Sequence, residues 1–339
     1  MTSAPPYLGQ CLSGLERKPP HSRCGRIEEN MISGFDKIEK ALTREELAVL
    51  GLRALYQDYG YRLYRMSKFE EYDLYAKNKD FLVSESVITF TDTDGRLLAL
   101  KPDVTLSIIK NSRDVGQGVS KLCYDENIYR VSKGTNSFKE ITQSGIECFG
   151  SIGEAELTEV VSLAARSIDL LCEGGCIALS HLDIVSGVLD GIGISQEGRA
   201  QIILALGQKN LSLAISALTV EGIADGGREA VEALFSTYGW AEDVLPLLDK
   251  FKVSERTSQA TEELCGVVRG VMTVYPEAKL RIDFSLLGNS RYYNGITFSG
   301  FIPTAPVAVL AGGQYDNLMA RMKRSDRAVG FAVYLDEIK

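Results

Sequence analysis

Histidine is almost absent from this chain of 339 residues, which contains only His21 and His181, and negative charge outnumbers positive charge. Two histidines leave little from which to build a nucleophilic site that depends on a His general base. The 37 Lys and Arg against 45 Asp and Glu give a net charge of -8 at pH 7. Because affinity for nucleic acid comes largely from clustered Lys and Arg, we expect no nucleic-acid partner.

Long apolar runs are also missing, since no stretch approaches the roughly 20 residues that a membrane-spanning helix requires. The N-terminus has no apolar core of the kind found in signal peptides, so we expect a soluble cytoplasmic protein with no membrane partner. The seven cysteines are scattered and odd in number, which is typical of buried thiols in a reducing compartment. Cys172 and Cys176 lack the spacing of a zinc knuckle, and we expect neither a metal site nor a cofactor.

The residues that are present fall into three regions of different character. Residues 1–30 contain four of the nine prolines and no hydrophobic period, which predicts a disordered tail. Residues 182–272 consist of successive helical patterns that no strand pattern interrupts, and we interpret them as a helical insertion domain. Residues 31–181 and 273–339 mix strands and helices without regular alternation. We therefore expect them to form a discontinuous α+β domain built on an antiparallel sheet.

A capping box marks the start of a helix near residue 43. The hydroxyl of Thr43 can accept the backbone N–H of Glu46, while the carboxylate of Glu46 reaches back to the backbone of Thr43. The apolar residues that follow predict a helix to about residue 59, with Leu47, Leu50 and Leu55 facing inward.

Two hairpins are predicted further along the chain. Alternating residues on either side of Asp94-Gly95 predict the first, and a helix should begin after Pro102. LCYDENIYRV and SFKEITQSGIECFG predict the second, which is longer and closed by a polar loop.

Four polar residues stand at or beside strand ends in otherwise apolar surroundings: Asp103, Thr105, Gln143 and Glu147. Strand alternation places Gln143, Gly145 and Glu147 on one face, which suits a polar cavity floored by glycine better than a core. A solvent-exposed sheet face is the plainer interpretation of any one of them. As a set, carboxylates at Asp103 and Glu147 could hold an ammonium group by charge-assisted hydrogen bonds. The two uncharged side chains would orient the remainder of the ligand, which implies a small amino acid.

Five short segments in a fixed order carry a resemblance to a known family: KPDVT, SGIE, YYNG, GGQYD and VGFA. Each is weak alone, and jointly they are specific. From about residue 60 to residue 335 the chain resembles class II histidyl-tRNA synthetases, and most closely their paralogue, the regulatory subunit of ATP phosphoribosyltransferase. The resemblance implies a class II antiparallel sheet flanked by helices, with residues 182–272 as the inserted helical domain and no anticodon-binding domain.

The resemblance also implies a set of pocket residues, with no catalytic residue among them. The histidine pocket of the family corresponds to Asp103, Thr105, Gln143, Glu147, Tyr292, Tyr293 and Tyr315. Arg130 matches the arginine that contacts the α-phosphate and the carboxylate at the adenylation centre of the synthetases. The YYNG segment alone would equally fit aromatic packing in a core.

Positions that carry cations in the synthetases hold other residues here. The arginine before the paired tyrosines corresponds to Gly288, and the nearby Arg291 is offset from that position. The GGRYD arginine corresponds to Gln314, and the terminal arginine that grips the γ-phosphate corresponds to Glu337. An acidic residue of the family corresponds to Ser132. Because losing one fixed charge opposite developing negative charge commonly costs about 3 kcal/mol or more, we expect no adenylate-forming turnover.

The leading hypothesis is a non-catalytic regulatory subunit that activates the short form of ATP phosphoribosyltransferase in the first step of histidine biosynthesis. The resemblance implies a hetero-oligomer with that catalytic subunit and a self-dimer within the complex. A retained pocket suits L-histidine as a feedback signal, because coupling requires only different affinities for histidine in two assembly states. Two alternatives stay open: a stand-alone histidine-activating ligase that uses Arg130, and a paralogue whose pocket binds nothing small.

Overall fold

The computed structural model describes residues 40–82, 87–113, 115–116, 118–131, 137–288 and 292–338. The predicted tail, residues 1–30, lies outside the described residues. The chain divides into two compact units, residues 1–47 and residues 48–339. In the first unit the predicted capping box is confirmed, since Oε2 of Glu46 accepts both the N–H and the hydroxyl of Thr43 at 2.8 Å.

The described strands form two sheets, and the bounds of β5 and β6 follow the predicted second hairpin closely. They are β1 (Arg62–Leu63), β2 (Phe69–Glu71), β3 (Thr89–Thr91), β4 (Leu97–Leu100), β5 (Val119–Val131), β6 (Phe138–Gly150), β7 (Cys176–His181), β8 (Tyr238–Trp240), β9 (Leu280–Asp283), β10 (Asn294–Phe301), β11 (Leu310–Gln314) and β12 (Arg327–Tyr334). The larger sheet has the order β1-β5-β6-β12-β11-β10-β7-β9-β8, and the smaller one has the order β2-β4-β3. Only β1 with β5 and β7 with β9 pair in parallel, so the expected antiparallel sheet is confirmed.

The described α-helices flank the larger sheet or follow one another between β7 and β9. They are α1 (Arg44–Asp58), α2 (Tyr72–Lys77), α3 (Thr105–Asn111), α4 (Glu154–Leu171), α5 (Leu182–Gly191), α6 (Gln196–Gly207), α7 (Leu211–Val220), α8 (Asp225–Ser236), α9 (Ala241–Val244), α10 (Glu255–Val274) and α11 (Asp316–Arg321). None of the helices in the described part of the chain is long and apolar enough to cross a membrane.

Two hydrophobic clusters lie on the two sides of the central strands. In the first, Leu157 and Val160 of α4 pack with Ile146 of β6, and all three are fully buried. In the second, Leu106 of α3 packs with Tyr124 of β5. The second cluster surrounds the polar residues that the sequence singled out, Asp103, Thr105, Gln143 and Glu147.

The helical segment between β7 and β9 contains one strand, so the prediction that no strand interrupts it was wrong. Residues Tyr238 to Trp240 form β8, which pairs antiparallel with β9 at the edge of the larger sheet. A strand of three residues is too short to produce a visible alternation, and only its pairing defines it. The division into a discontinuous sheet domain and an insertion domain stays a prediction.

The predicted first hairpin is present, and the predicted inward face of α1 is wrong for Leu47 and Leu50 but correct for Leu55, which is half-buried against the first cluster. β3 and β4 pair antiparallel across a turn in which Gly95 has φ +80°, the left-handed conformation that glycine tolerates best. In α1, Leu52 and Tyr56 are fully buried, whereas Leu47 and Leu50 are each 42% exposed. The buried face of α1 is therefore rotated from the predicted one.

Candidate functional site

A cavity of about 60 Å³ lies on the face of the larger sheet that carries the second cluster. We call it the inner cavity, and all eight predicted ligand residues line it: Asp103, Thr105, Arg130, Gln143, Glu147, Tyr292, Tyr293 and Tyr315. Its small size and its polar lining suit a small polar ligand. Residues from six separate parts of the chain thus converge on one small space.

Strand pairing explains why the floor of the inner cavity is polar and open. In β6, Gln143, Gly145 and Glu147 point to the same face, as their alternation predicted. Glycines leave room for the polar groups, because a Cβ at Gly145 would overlap the hydroxyl of Tyr124 and one at Gly330 would overlap Oε2 of Glu147. The open floor therefore depends on close approaches that only glycine allows.

Glu147 is the more buried of the two carboxyl groups that line the inner cavity, at 2% exposure. Its Oε1 accepts the hydroxyl of Thr105 at 2.5 Å, and its Oε2 accepts the hydroxyl of Tyr315 at 2.5 Å. Burial raises the pKa of Glu147 from 4.5 to about 8, although both hydroxyl bonds act in the opposite direction. A cationic group entering the cavity would favour the ionised form and gain a charge-assisted contact.

Asp103 supplies a second carboxyl to the inner cavity. Its Oδ1 accepts the backbone N–H of Leu106 at 2.9 Å, which fixes the side chain at the start of α3. Burial raises the pKa of Asp103, while the backbone bond to Leu106 and the charge of Arg130 oppose that shift. The inner cavity therefore presents two carboxyl groups that ionise more readily when a cation is present.

Arg130 is the one Lys or Arg among the described residues that line the inner cavity. It is half-buried, and its Nε donates to the carbonyl oxygen of Pro102 at 3.2 Å. This bond ties β5 to the loop that carries Asp103. Two carboxyl groups and one guanidinium in the same cavity make a set of charges that complements a zwitterion.

Tyrosines form the remaining walls of the inner cavity. The rings of Tyr292 and Tyr293 have centroids 4.8 Å apart, and those of Tyr292 and Tyr315 have centroids 5.9 Å apart. Burial raises the pKa of each of these phenols well above its ordinary value, so each keeps its proton and can donate a hydrogen bond.

Tyr124 and Tyr334 also line the inner cavity, and sequence reasoning missed both. A signal for each existed in the strand patterns. Tyr124 lies directly opposite Gly145 in the hairpin of β5 and β6, and Tyr334 lies opposite Gln143 in the pairing of β6 and β12. Residues opposite each other in a sheet share a face, so the register would have identified them.

A second cavity of about 730 Å³ adjoins the first and shares Arg130 and Tyr334 with it. We call it the outer cavity. It is lined by two cations, Arg130 and Lys139, and by two acids, Asp336 and Glu337. Opposite charges in equal number do not build the positive field that a polyphosphate requires.

Two of the positions at which the resemblance implies a missing cation, Gly288 and Gln314, have a defined structural role here. Gly288 has φ +54°, a conformation that strains other residues. Gln314 is buried, and its Oε1 accepts the backbone N–H of Ile296 at 2.5 Å beside an irregularity in β10. Ser132 and Arg291 lie outside the described residues.

The described part of the chain also contains no cluster of three or more His, Cys, Asp or Glu side chains arranged to hold a metal ion.

Comparison with known proteins identifies relatives over most of the chain. Among curated proteins, the chain is 26% identical over 283 residues to an ATP phosphoribosyltransferase regulatory subunit from Oceanobacillus iheyensis, which spans 83% of this chain and 69% of the relative. A relative of the same description from Caldanaerobacter subterraneus is 28% identical over 294 residues, which is 84% of this chain and 75% of the relative.

Solved structures share the fold. An ATP phosphoribosyltransferase regulatory subunit/histidyl-tRNA synthetase from Bacillus halodurans superimposes with a TM-score of 0.75 at 21% identity, covering 86% of this chain and 77% of that one. The model of the family described as histidyl-tRNA synthetase matches residues 35–338. The chain therefore belongs to the histidyl-tRNA synthetase family.

Proposed function

We propose that this chain is the regulatory subunit of an ATP phosphoribosyltransferase and that it activates a separate short-form catalytic subunit in the first step of histidine biosynthesis. One observation carries the proposal: the inner cavity keeps its carboxyls, tyrosines and arginine, while the cation positions around it hold Gly288, Gln314 and Glu337. The names of the curated relatives support the same role.

L-histidine is the proposed ligand of the inner cavity. Asp103 and Glu147 offer two carboxyls for the ammonium and imidazole groups, and Arg130 offers a guanidinium for the carboxylate. The buried tyrosine hydroxyls add neutral donors. A ligand with separated positive and negative groups satisfies every charged side chain of this cavity, whereas an apolar ligand would leave several unpaired.

Feedback by histidine follows if the ligand binds two assembly states with different affinity. A difference of about 1 to 3 kcal/mol, or roughly 5-fold to 150-fold, is typical of such coupling. The proposed partner is the short-form catalytic subunit, in a hetero-oligomer that also contains a self-dimer of this chain. An ATP phosphoribosyl transferase (HisG:HisZ) complex from Thermotoga maritima has a component with the same fold, at a TM-score of 0.67 and 17% identity over 86% of this chain and 97% of that one.

A stand-alone histidine-activating ligase is the second candidate, and the retained Arg130 is the observation that favours it. Adenylate formation needs further fixed positive charge around the triphosphate. In the outer cavity, Glu337 stands at the position of the γ-phosphate arginine, and Asp336 lies beside it. The regulatory role is therefore the better supported of the two.

The direct test is to purify this chain with the short-form catalytic subunit of the same genome and to assay phosphoribosyl transfer to ATP. We expect the two proteins to co-purify, transfer to rise sharply in the mixture, and histidine to lower it. Equal activity of the catalytic subunit with and without this chain would refute the proposal.

Two variants separate activation from histidine sensing. Glu147→Gln should keep the complex and its activity but lose most of its sensitivity to histidine. Glu140→Gln is the matched control, because Glu140 is an exposed glutamate of the same strand and should leave both properties unchanged.

A further inference from the structure

A chain of polar side chains connects the helical segment between β7 and β9 with the inner cavity. It begins at His181, which ends β7 and is almost fully buried. Its Nδ1 accepts the backbone N–H of Asp183 at 3.2 Å and so caps α5. Because Nδ1 is an acceptor, Nε2 carries the proton and donates to Oε2 of Glu263 in α10 at 3.0 Å. One imidazole thus joins two helices of the segment to the sheet.

The chain continues from Glu263 to Arg327 at the start of β12. Oε1 of Glu263 accepts from the guanidinium of Arg327 at 3.5 Å. Burial alone would raise the pKa of Glu263, but the hydrogen bond from His181 and the charge of Arg327 outweigh it, and the pKa lies below its ordinary value. The carboxylate therefore stays ionised, and the contact to Arg327 is an ion pair in a partly buried setting.

Arg327 then reaches Asp316, which begins α11. Nε of Arg327 donates to Oδ2 of Asp316 at 3.2 Å, and Oδ1 of Asp316 accepts the backbone N–H of Ala328 at 2.8 Å. Tyr315, whose hydroxyl bonds to Glu147, is the residue directly before Asp316. The ion pair thus holds the backbone from which the phenol of Tyr315 enters the inner cavity.

The last member of the chain is Asn294, which follows the paired tyrosines. Its Nδ2 donates to Oδ2 of Asp316 at 3.3 Å, and its Oδ1 accepts the backbone N–H of Asn317 at 3.2 Å. The segment that carries Tyr292 and Tyr293 and the segment that carries Tyr315 are therefore both fixed to the carboxylate of Asp316. A shift of α10 would therefore be transmitted, through Glu263, Arg327 and Asp316, to both of these segments.

We propose that His181, Glu263 and Arg327 are positioning residues for the tyrosines of the inner cavity, and that they make its ligand affinity depend on the placement of α5 and α10. None of the three lines the inner cavity, so they act through Asp316 and Asn294. The ligand part of this inference rests on the proposed function, which takes histidine as the occupant. A partner that binds the helical segment and shifts α5 or α10 would thereby change the ligand affinity of the inner cavity.

The chain offers matched variants for a test. Glu263→Ala removes the central link, and His181→Asn keeps an acceptor for the cap of α5 while losing the reach to Glu263. Lys209→Met is the control. Lys209 also ties the helical segment to the sheet, through an ion pair of 2.6 Å with Asp283, but neither residue of that pair lines the inner cavity.

Two readouts are measured on the full chain: amide hydrogen exchange of residues 315–321 by mass spectrometry, and the dissociation constant of L-histidine by calorimetry. Glu263→Ala and His181→Asn should each speed exchange there and weaken histidine binding by about fivefold to tenfold. In the double variant, exchange should be little faster and histidine binding little weaker than in either single variant, because both substitutions interrupt the same chain of contacts. Lys209→Met should change either quantity by less than about twofold.

Unchanged exchange at residues 315–321 in both link variants would overturn the inference, as would additive effects in the double variant. A wild-type chain that binds no histidine would instead refute the histidine part of the proposed function. The exchange comparison would still decide whether the link positions Tyr315.

Discussion

The inner and outer cavities share Arg130 and Tyr334 but differ in what surrounds those two residues. The inner cavity combines buried carboxyls, tyrosine hydroxyls and one guanidinium, which matches a zwitterion. In the outer cavity, Asp336 and Glu337 offset the two cations, which does not match a polyphosphate. Binding an amino acid requires only the first set, whereas activating it requires additional charge that stabilises a transition state. The inner cavity therefore suits recognition of an amino acid, and the outer cavity lacks the excess positive charge that its activation requires.

The altered positions are more than missing side chains. The backbone at Gly288 has a left-handed conformation, so a side chain restored there would be strained. The amide of Gln314 is engaged by the backbone of Ile296, and an arginine in its place would bury a charge and leave that N–H without its acceptor. The packing around the inner cavity therefore opposes a cationic side chain at residue 288 or residue 314.

The largest expected effect comes from neutralising the deepest carboxyl of the inner cavity. Glu147→Gln removes the charge that receives the cationic part of the ligand, and hydrogen bonds to charged groups contribute about 1.5 to 3 kcal/mol. Calorimetry should give a histidine dissociation constant raised by up to about 100-fold. Glu140→Gln should bind like the wild type. An unaltered affinity in Glu147→Gln would mean that histidine does not occupy the inner cavity.

A pH effect on stability should follow from the same carboxyl. The unfolded chain releases the proton of Glu147 near its ordinary pKa of 4.5, whereas the folded chain holds it until about pH 8. Between these values the folded state binds more protons, so the free energy of unfolding falls as pH rises and levels off above the folded pKa. At about 1.4 kcal/mol for each pH unit between 4.5 and about 8, urea unfolding should show an extra loss on the order of 5 kcal/mol in the wild type relative to Glu147→Gln. Parallel curves for the two proteins would argue against a buried protonated carboxyl.

A smaller effect is expected from closing the floor of the inner cavity. A methyl group at Gly330 would overlap Oε2 of Glu147 and displace the carboxylate, so Gly330→Ala should weaken histidine binding about tenfold. Gly207→Ala is the control, because a Cβ at Gly207 meets open space at the end of α6. Equal affinity in the two variants, measured by calorimetry on folded protein, would show that Glu147 can relocate without loss.

The smallest effect is expected in the outer cavity. Glu337 is exposed and lines only the outer of the two cavities, so Glu337→Gln should change the histidine dissociation constant by less than about twofold. A strong effect on histidine affinity would contradict the separation of the two cavities.

Local patterns predicted most strands and the polar face of β6, because burial on one face fixes a period of two. They failed where several apolar residues allowed more than one face. In α1, Leu50, Leu52 and Tyr56 all lie within two turns, and only tertiary packing selects Leu52 and Tyr56 for burial. Whether Tyr124 and Tyr334 line the inner cavity depends on which strands pair and in what register. The sequence of a single strand does not contain that information.

Histidine-dependent exchange of pyrophosphate with ATP, measured on the purified chain alone, tests the central claim most directly. A protein that recognises the amino acid but lacks the charge to activate it should give no exchange above background at saturating histidine. Clear exchange that requires histidine would contradict the account and identify the chain as an adenylate-forming ligase.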